Sequence, residues 1–221
     1  MRRIAALIHK YKHAWLLLYA CIYLPWFCYL ERTVTGNYHV MHAALDDLIP
    51  FCEYFIVPYL LWFLYVGAAI FYFLFTSRED YYKLCAFLFS GMTISLIICT
   101  FFRNGTDLRP VVDPDKNVFC ALVSLIHRAD TSTNVFPSIH VYNSIGVHLA
   151  VSHSERLRRR PAIRLGSGIL MVLICLSTVF LKQHSVIDLI GAVILAYIMC
   201  GIIYGYSWSA QDKKITQKAL G

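Results

Sequence analysis

Long apolar stretches dominate this sequence and restrict its fold more than any other feature. About 20 apolar residues in a helix cross the hydrocarbon core of a bilayer. Six stretches of this kind cover residues 13–30, 51–75, 84–102, 138–153, 164–181 and 186–206. The chain is 58% hydrophobic, above the roughly one half that is typical of soluble domains. The sequence therefore predicts an all-α fold, a polytopic membrane bundle of six transmembrane helices in a single integral-membrane domain over residues 1–221.

The distribution of positive charge predicts the orientation of the bundle. The net charge is +7, and the basic residues cluster in the head, in residues 154–164 and in the tail. Six spans would put these segments and both termini on one side, which the positive-inside tendency makes the cytoplasmic side of a plasma or cytoplasmic membrane. The clustered residues are Arg2, Arg3, Lys10, Lys12, Arg156, Arg158, Arg159, Arg160, Arg164, Lys213, Lys214 and Lys218.

Other features exclude several alternative classes of protein. The sequence has no basic face with interleaved aromatic residues, so we expect no nucleic-acid partner. Its eight cysteines form no CxxC pair, which argues against a disulfide framework or a zinc knuckle, and only Cys120 lies in a polar loop. The first apolar run has no small-residue cleavage site and ends at Glu31-Arg32, so a retained span is predicted instead of a signal peptide.

The fourth apolar run begins with the segment Pro137-Ser138-Ile139-His140. Proline is common at a helix start, and the N–H groups of a first helical turn lack partners within the helix. These groups and the helix dipole favour an anion, which the imidazole of His140 would also reach. The alternative is an ordinary Pro-Ser helix start with a histidine at the membrane interface. The run is too polar to face lipid on all sides.

His184 and Asp188 lie four residues apart at the start of the sixth run. This spacing puts both side chains on one face of a helix. A carboxylate in that position fixes one tautomer of the imidazole and favours its charged form. Ser185 and Asp188 also fit a Ser-x-x-Asp capping arrangement, which is the purely structural alternative.

Cations on the outer side run against the topology bias. Arg109 precedes Pro110 in the 103–137 loop, and Arg103 and Lys182 lie on the same side. An arginine in an outer loop is usually a solvated charge, but cations that oppose the positive-inside tendency are candidates for a phosphate clamp. A competing interpretation makes His140, His184 and Asp188 ligands of a metal ion.

The order of these motifs resembles the type-2 phosphatidic acid phosphatase superfamily of lipid phosphatases and phosphotransferases. That family carries Lys-x6-Arg-Pro, Pro-Ser-Gly-His and Ser-Arg-x5-His-x3-Asp. The matching segments here are Arg109-Pro110, Pro137-Ser138-Ile139-His140, and Ser177-Thr178 followed by His184 and Asp188. The motifs span residues 103–188, and the six-span layout extends the likeness to nearly the whole chain.

The sequence departs from the family pattern at three positions. Phe102 and Thr178 stand where the family has a lysine and an arginine, and Ile139 replaces a glycine. Arg103 and Lys182 are the candidates to replace the missing cations. These changes, together with residues 45–51, are similar to the inositol-phosphorylceramide and sphingomyelin synthase branch.

The resemblance implies a role for each candidate residue. His184 would attack phosphorus and form a phosphohistidine, Asp188 would orient the imidazole, and His140 would protonate the leaving group. The resemblance further implies a phosphate site made of Arg109, helped by Arg103, Lys182 and the Ser138 backbone N–H. Neither a cofactor nor a metal is needed in this scheme, and the expected partners are a lipid phosphate and the bilayer.

Three functions remain open from the sequence. The first is a lipid-phosphate phosphatase with its active site on the extracytoplasmic face. The second is a lipid head-group phosphotransferase, which would use the same residues with a different acceptor. The third is a non-catalytic membrane scaffold or transporter subunit. The oligomeric state is not indicated by any pattern in the sequence.

Overall fold

The protein is mostly helical, and within residues 10–205 five helices are long and apolar enough to cross a membrane. These helices cover Lys12–Thr33, Glu53–Thr76, Arg78–Phe101, Pro161–Phe180 and Val186–Gly205. The computed structural model describes residues 10–205. The predictions about the basic head and tail, from Arg2 and Arg3 to Lys213, Lys214 and Lys218, therefore lie outside the described residues.

The elements follow each other closely along the chain. The α-helices of the described region are α1 (Ala20–Thr33), α2 (Ala44–Leu48), α3 (Ile56–Thr76), α4 (Arg78–Phe101), α5 (Val118–Ala129), α6 (Ile139–His153), α7 (Pro161–Phe180) and α8 (Val186–Cys200). Short 3-10 helices, Lys12–Tyr19 and Glu53–Phe55, lead into α1 and α3, and a π-helical turn, Gly201–Gly205, extends α8. Two short strands are β1 (His39–Val40) and β2 (Asn104–Gly105).

Helix α6 corresponds to the predicted fourth span but is only 15 residues long. At about 1.5 Å per residue it extends for about 22 Å, less than the ~30 Å of a bilayer core. It therefore does not belong to the five helices of spanning length. Instead it packs against α3, α4, α7 and α8. Its polar residues Asn143 and Ser144 are buried among these neighbours, which agrees with the expectation that this run does not face lipid on all sides.

The contact between α4 and α6 depends on a glycine. A Cβ atom at Gly91 would lie 2.0 Å from Cε1 of Tyr142, so any larger residue must displace that ring. The Tyr142 ring stacks on Phe87 with centroids 4.6 Å apart, and its hydroxyl donates a hydrogen bond of 2.9 Å to the Phe87 carbonyl. Both aromatic residues are fully buried in the main core. The position of α6 is thus fixed by close packing on α4.

The two long connections, residues 31–50 and 103–137, contain ordered structure. Strands β1 and β2 pair in parallel, with His39 opposite Asn104 and Val40 opposite Gly105. Gly105 also forms an antiparallel bridge with Thr133. These contacts fasten three segments of the connections to one another at one end of the bundle.

The second connection also contains a helix that the sequence analysis treated as part of a loop. Asn117 caps α5 by accepting a 2.9 Å hydrogen bond from the backbone N–H of Cys120. The apolar stripe of α5 buries Cys120 and Val123. The prediction that Cys120 lies in a polar loop is therefore wrong, because an amphipathic helix of 12 residues forms there.

We expect Gly91→Ala to lower the free energy of unfolding by about 1–3 kcal/mol, the usual cost of overpacking a core. Gly166→Ala is the matched control in α7, because nothing lies within 4 Å of its Cβ position. Thermal unfolding of both variants in detergent would measure the difference. Equal midpoints for the two variants would contradict this account of the α4–α6 contact.

Candidate active site

The start of α8 is built around a buried capping arrangement. Ser185 is the N-cap residue, and its hydroxyl accepts from the backbone N–H of Ile187 at 3.2 Å. The carboxylate of Asp188 accepts a hydrogen bond of 2.9 Å from the Ser185 backbone N–H. The predicted Ser-x-x-Asp cap is therefore confirmed. A cap of this kind pairs N–H groups that the helix itself leaves without partners.

The same carboxylate faces the imidazole of His184. Nδ1 of His184 lies 3.4 Å from Oδ2 of Asp188, an ion-pair distance slightly too long for a good hydrogen bond. Asp188 is fully buried and His184 is 7% exposed. Since Nδ1 faces the carboxylate, Nε2 is the ring nitrogen left for chemistry. The expected pairing of these two side chains is confirmed, but they do not share a helix face, because His184 lies before the N-cap residue of α8.

His140 lies beside His184 although 44 positions separate them in the sequence. Their ring centroids are 5.8 Å apart. The ring of His140 also contacts two aromatic residues of α3, with centroid distances of 4.6 Å to Tyr59 and 4.4 Å to Trp62. These aromatic contacts fix the plane of the imidazole. Nδ1 of His140 is buried and has no hydrogen-bond partner among residues 10–205.

The segment before α6 is fastened to the start of α8. The backbone N–H of Ser138 donates to the backbone carbonyl of Asp188 at 3.2 Å. This N–H was expected to bind phosphate, and the structure instead gives it a protein partner because the two helix starts meet here. The Ser138 hydroxyl is fully buried and unpaired within the described region. The hydroxyl is therefore the group that Ser138 can offer to a ligand.

Arg109 links its own loop to the 130–131 segment and to Gln183, the residue before His184. Its guanidinium donates at 2.7 Å to the backbone carbonyls of Asp130 and Thr131 and, also at 2.7 Å, to Oε1 of Gln183. The carboxylate of Asp130 lies 3.5 Å away. These contacts use most of the five N–H donors of the guanidinium. Nε is buried and has no partner in the part of the chain described, so Arg109 is mainly an anchor with a donor to spare.

Two carboxylates make the surroundings of Arg109 less positive. Glu31 accepts hydrogen bonds from Thr131 and Asn134. Burial, and next the nearby charge of Glu31, raise the pKa of Asp130 to about 6, although Arg109 and His184 oppose the shift. The negative charge of Asp130 therefore increases as the pH rises through that value. An anion bound beside Arg109 would meet these two acids as well as the guanidinium.

The other two expected cations lie elsewhere. Arg103 is exposed. Its backbone carbonyl accepts a hydrogen bond of 2.9 Å from the His39 N–H. Nζ of Lys182 donates at 2.5 Å to the backbone carbonyl of Asp46. Arg103 therefore has no contact with the histidine pair, and the ammonium of Lys182 is already used to hold α2.

Asp46 is a site-building residue that the sequence analysis did not single out. It is 2% exposed, and its carboxylate accepts from the Ser185 hydroxyl at 2.6 Å and from the Val186 N–H at 2.8 Å. It also accepts from the Ala43 N–H at 2.8 Å, which caps α2. Two adjacent acids, Asp46 and Asp47, are visible in the sequence as a possible helix start. Only the structure shows that Asp46 also caps the distant helix α8.

Gln183 is a second residue that the sequence analysis missed. It is 2% exposed and lies between Lys182, which has a φ of 58°, and His184. Its signal in the sequence is weak, because an amide beside a candidate histidine has no characteristic spacing. The structure shows that it contacts Arg109, which is 74 positions away.

The described residues do not provide a metal centre. Within residues 10–205, no three His, Cys, Asp or Glu side chains are grouped so that they could hold a metal ion. Nδ1 of His184 faces a carboxylate, and His140 faces aromatic rings. The arrangement is that of a nucleophile or base beside an orienting acid, with buried donors around it.

A comparison of the chain with protein-family models, curated proteins and solved structures finds no match.

We expect Asp46→Ala to lower the free energy of unfolding by about 3 kcal/mol, because one buried and two half-buried donors lose their acceptor. Asp47→Ala is the matched control, since its side chain is 65% exposed and contacts only His42 among the ion pairs of the described residues. Its cost should stay within about 1 kcal/mol, as for other surface pairs. Equilibrium unfolding in mixed micelles would compare them, and similar losses for both would refute the capping role.

Proposed function

We propose that this protein is an integral-membrane lipid-phosphate phosphatase that acts through a phosphohistidine on His184. The observation that carries the proposal is the trio of buried His184, buried Asp188 and half-buried His140, with a carboxylate 3.4 Å from one imidazole and a second imidazole ring 5.8 Å away. Burying ionisable groups at the end of an apolar bundle costs free energy, and their presence there therefore indicates a function.

In the first step Nε2 of His184 attacks phosphorus. A P–N bond forms and the bond from phosphorus to the lipid oxygen breaks. His140 gives a proton to the leaving alkoxide, and Asp188 stabilises the positive charge that develops on the His184 ring. A covalent intermediate divides one difficult displacement into two easier ones.

In the second step water attacks the phosphohistidine. His140 accepts a proton from this water, the P–N bond breaks, and inorganic phosphate leaves. General acid and base help of this kind is typically worth about 10²–10⁴ in rate. The spare Nε–H of Arg109 and the buried hydroxyl of Ser138 supply donors to the phosphoryl oxygens.

The proposed layout has six spans, with α6 crossing inside the ring of longer helices. Residues 154–164 carry Arg156, Arg158, Arg159, Arg160 and Arg164, and in this layout they lie on the cytoplasmic side. The site lies at the opposite ends of α6 and α8, on the extracytoplasmic face of a plasma or cytoplasmic membrane. A lipid substrate would reach it from the bilayer.

A second candidate function is transfer of a phosphorylated head group between lipids. The observation that favours it is the shortage of cations, because Phe102 and Thr178 replace two basic residues of the resembled family, and neither Arg103 nor Lys182 is free at the site. A phosphodiester carries one negative charge and needs fewer cations than a phosphomonoester. An alcohol would then replace water in the second step.

A panel of short-chain lipids separates these functions. Purified protein would be given phosphatidate, phosphatidylglycerol phosphate, a polyprenyl diphosphate and a neutral phosphodiester lipid, each with and without acceptor alcohols. Released inorganic phosphate indicates hydrolysis, and a new phospholipid detected by mass spectrometry indicates transfer. No turnover of any phosphate ester would support a non-catalytic scaffold instead.

His184→Ala and His140→Ala should each reduce turnover by at least about 10³-fold, since residues that act as one catalytic unit lose most activity singly. Neither change should prevent folding, because both side chains have a buried atom without a partner in the described region. Rapid-quench labelling with a ³²P-lipid should give acid-labile label in the parent and none in His184→Ala. Near-parent activity in either variant would refute the assignment.

Arg109→Ala should reduce kcat/KM by at least about 100-fold, because it removes an oxyanion donor and unfastens the 130–131 segment from Gln183. Arg103→Ala is the matched control and should stay within a factor of two, as its side chain is exposed and away from the histidines. A larger loss for Arg103→Ala than for Arg109→Ala would reverse our placement of the phosphate site.

A further inference from the structure

We propose that Gln183 is a phosphate ligand whose side-chain amide nitrogen takes the place of the cation that is missing at Thr178. The inference rests on the proposed function and adds a residue to its site. With Gln183 as a ligand, the phosphate site contains one guanidinium and several uncharged donors.

The backbone holds Gln183 firmly next to the nucleophile. Its N–H donates to the Thr178 carbonyl at 2.9 Å, and the N–H of His184 donates to the same oxygen at 3.1 Å. Both residues are therefore fixed to the end of α7 by one acceptor. A side chain held in this way keeps its position while the imidazole reacts.

The orientation of the Gln183 amide follows from its partner. Arg109 donates to it at 2.7 Å, and a guanidinium has donors only, so the atom that faces it must be the amide oxygen. The amide nitrogen then points away from Arg109. This nitrogen is buried and has no acceptor anywhere in residues 10–205. A buried donor left unpaired costs about 1–3 kcal/mol, so an acceptor from a ligand would be favourable.

A phosphoryl group is the acceptor that suits this place. Nε of Arg109 and the hydroxyl of Ser138 are also buried donors without a partner in the described structure. Gln183 contacts Arg109 directly and adjoins His184, while Ser138 is bonded to the Asp188 backbone. Phosphoryl oxygens accept hydrogen bonds and lie around the atom that His184 attacks. The three donors together match such a group.

Two neighbouring side chains that carry hydrogen-bond donors are bonded to other protein groups. The hydroxyl of Thr178 donates to the Cys175 carbonyl at 2.8 Å, and the ammonium of Lys182 donates to Asp46. Asp130 lies 3.5 Å from Arg109 and reduces the positive charge there. A neutral amide in place of an arginine therefore leaves a site that suits a phosphoryl group with one negative charge better than one with two.

Gln183→Glu is the decisive variant, because it keeps the oxygen that Arg109 needs and removes the N–H donor. We expect it to reduce kcat/KM for the lipid phosphate that the parent uses by about 100-fold, as for loss of one oxyanion donor. Gln183→Lys loses the oxygen that Arg109 needs but keeps a donor and adds charge, so the ratio of turnover of short-chain phosphatidate to that of a zwitterionic phosphodiester lipid should rise at least tenfold. Arg103→Ala is the matched control and should change neither quantity.

Binding of orthovanadate, followed by the thermal unfolding midpoint, gives a readout that does not need turnover. The parent and Arg103→Ala should be stabilised by orthovanadate, and Gln183→Glu should not, while the midpoints without orthovanadate stay equal. If the parent turns over a lipid phosphate and Gln183→Glu matches it in both rate and stabilisation, the Gln183 assignment is wrong and the proposed function stands.

The opposite failure is also distinguishable. A parent that orthovanadate stabilises but that cleaves no phosphate ester would refute the proposed function, and the loss of stabilisation in Gln183→Glu would still support the ligand assignment. A parent with neither stabilisation nor turnover would overturn both.

Discussion

The buried carboxylate of Asp188 is the group on which the rest of the site depends. One residue caps α8 through the Ser185 N–H, faces Nδ1 of His184 at 3.4 Å, and accepts from Ser138 through its backbone carbonyl. A carboxylate with no exposed surface is costly unless its oxygens are paired. Because capping and orientation use the same side chain, the start of α8 cannot move without moving the imidazole. The two helix starts that carry His140 and His184 are thereby held in one rigid unit.

The connections outside the helices complete this unit. Arg109 bonds the 130–131 segment and Gln183, while Asp46 bonds the start of α8 from the opposite connection. Helix packing sets the separation of α6 and α8 through apolar contacts, which carry little directional information. Hydrogen bonds from the connections supply that direction. The apolar core therefore places the helices, and the hydrogen bonds at the polar end of the bundle set the orientation of the two imidazoles.

Sequence patterns predicted the parts of this arrangement that depend on local periodicity. The apolar runs predicted the bounds of the long helices to within six residues, and the four-residue spacing predicted the His184–Asp188 pair and its cap. The short α6 was less predictable, because a helix surrounded by other helices need not match the bilayer thickness. The contacts that Lys182, Asp46 and Gln183 make could not be predicted, since their partners lie 136, 139 and 74 positions away in the sequence. Long-range contacts of this kind leave no periodic signal.

The scarcity of free cations has a physical reason in such a site. Each buried positive charge must be balanced or desolvated at a cost, and Lys182 and Arg109 are both already bonded to protein oxygens. In the proposed mechanism the anion is bound by the groups that remain, which are an imidazole, a spare guanidinium N–H, a hydroxyl and an amide. Uncharged donors lose little on desolvation and discriminate by geometry instead of by charge. We therefore expect the site to select among phosphate esters by the shape and charge of the phosphoryl group, and not through attraction to one particular cation.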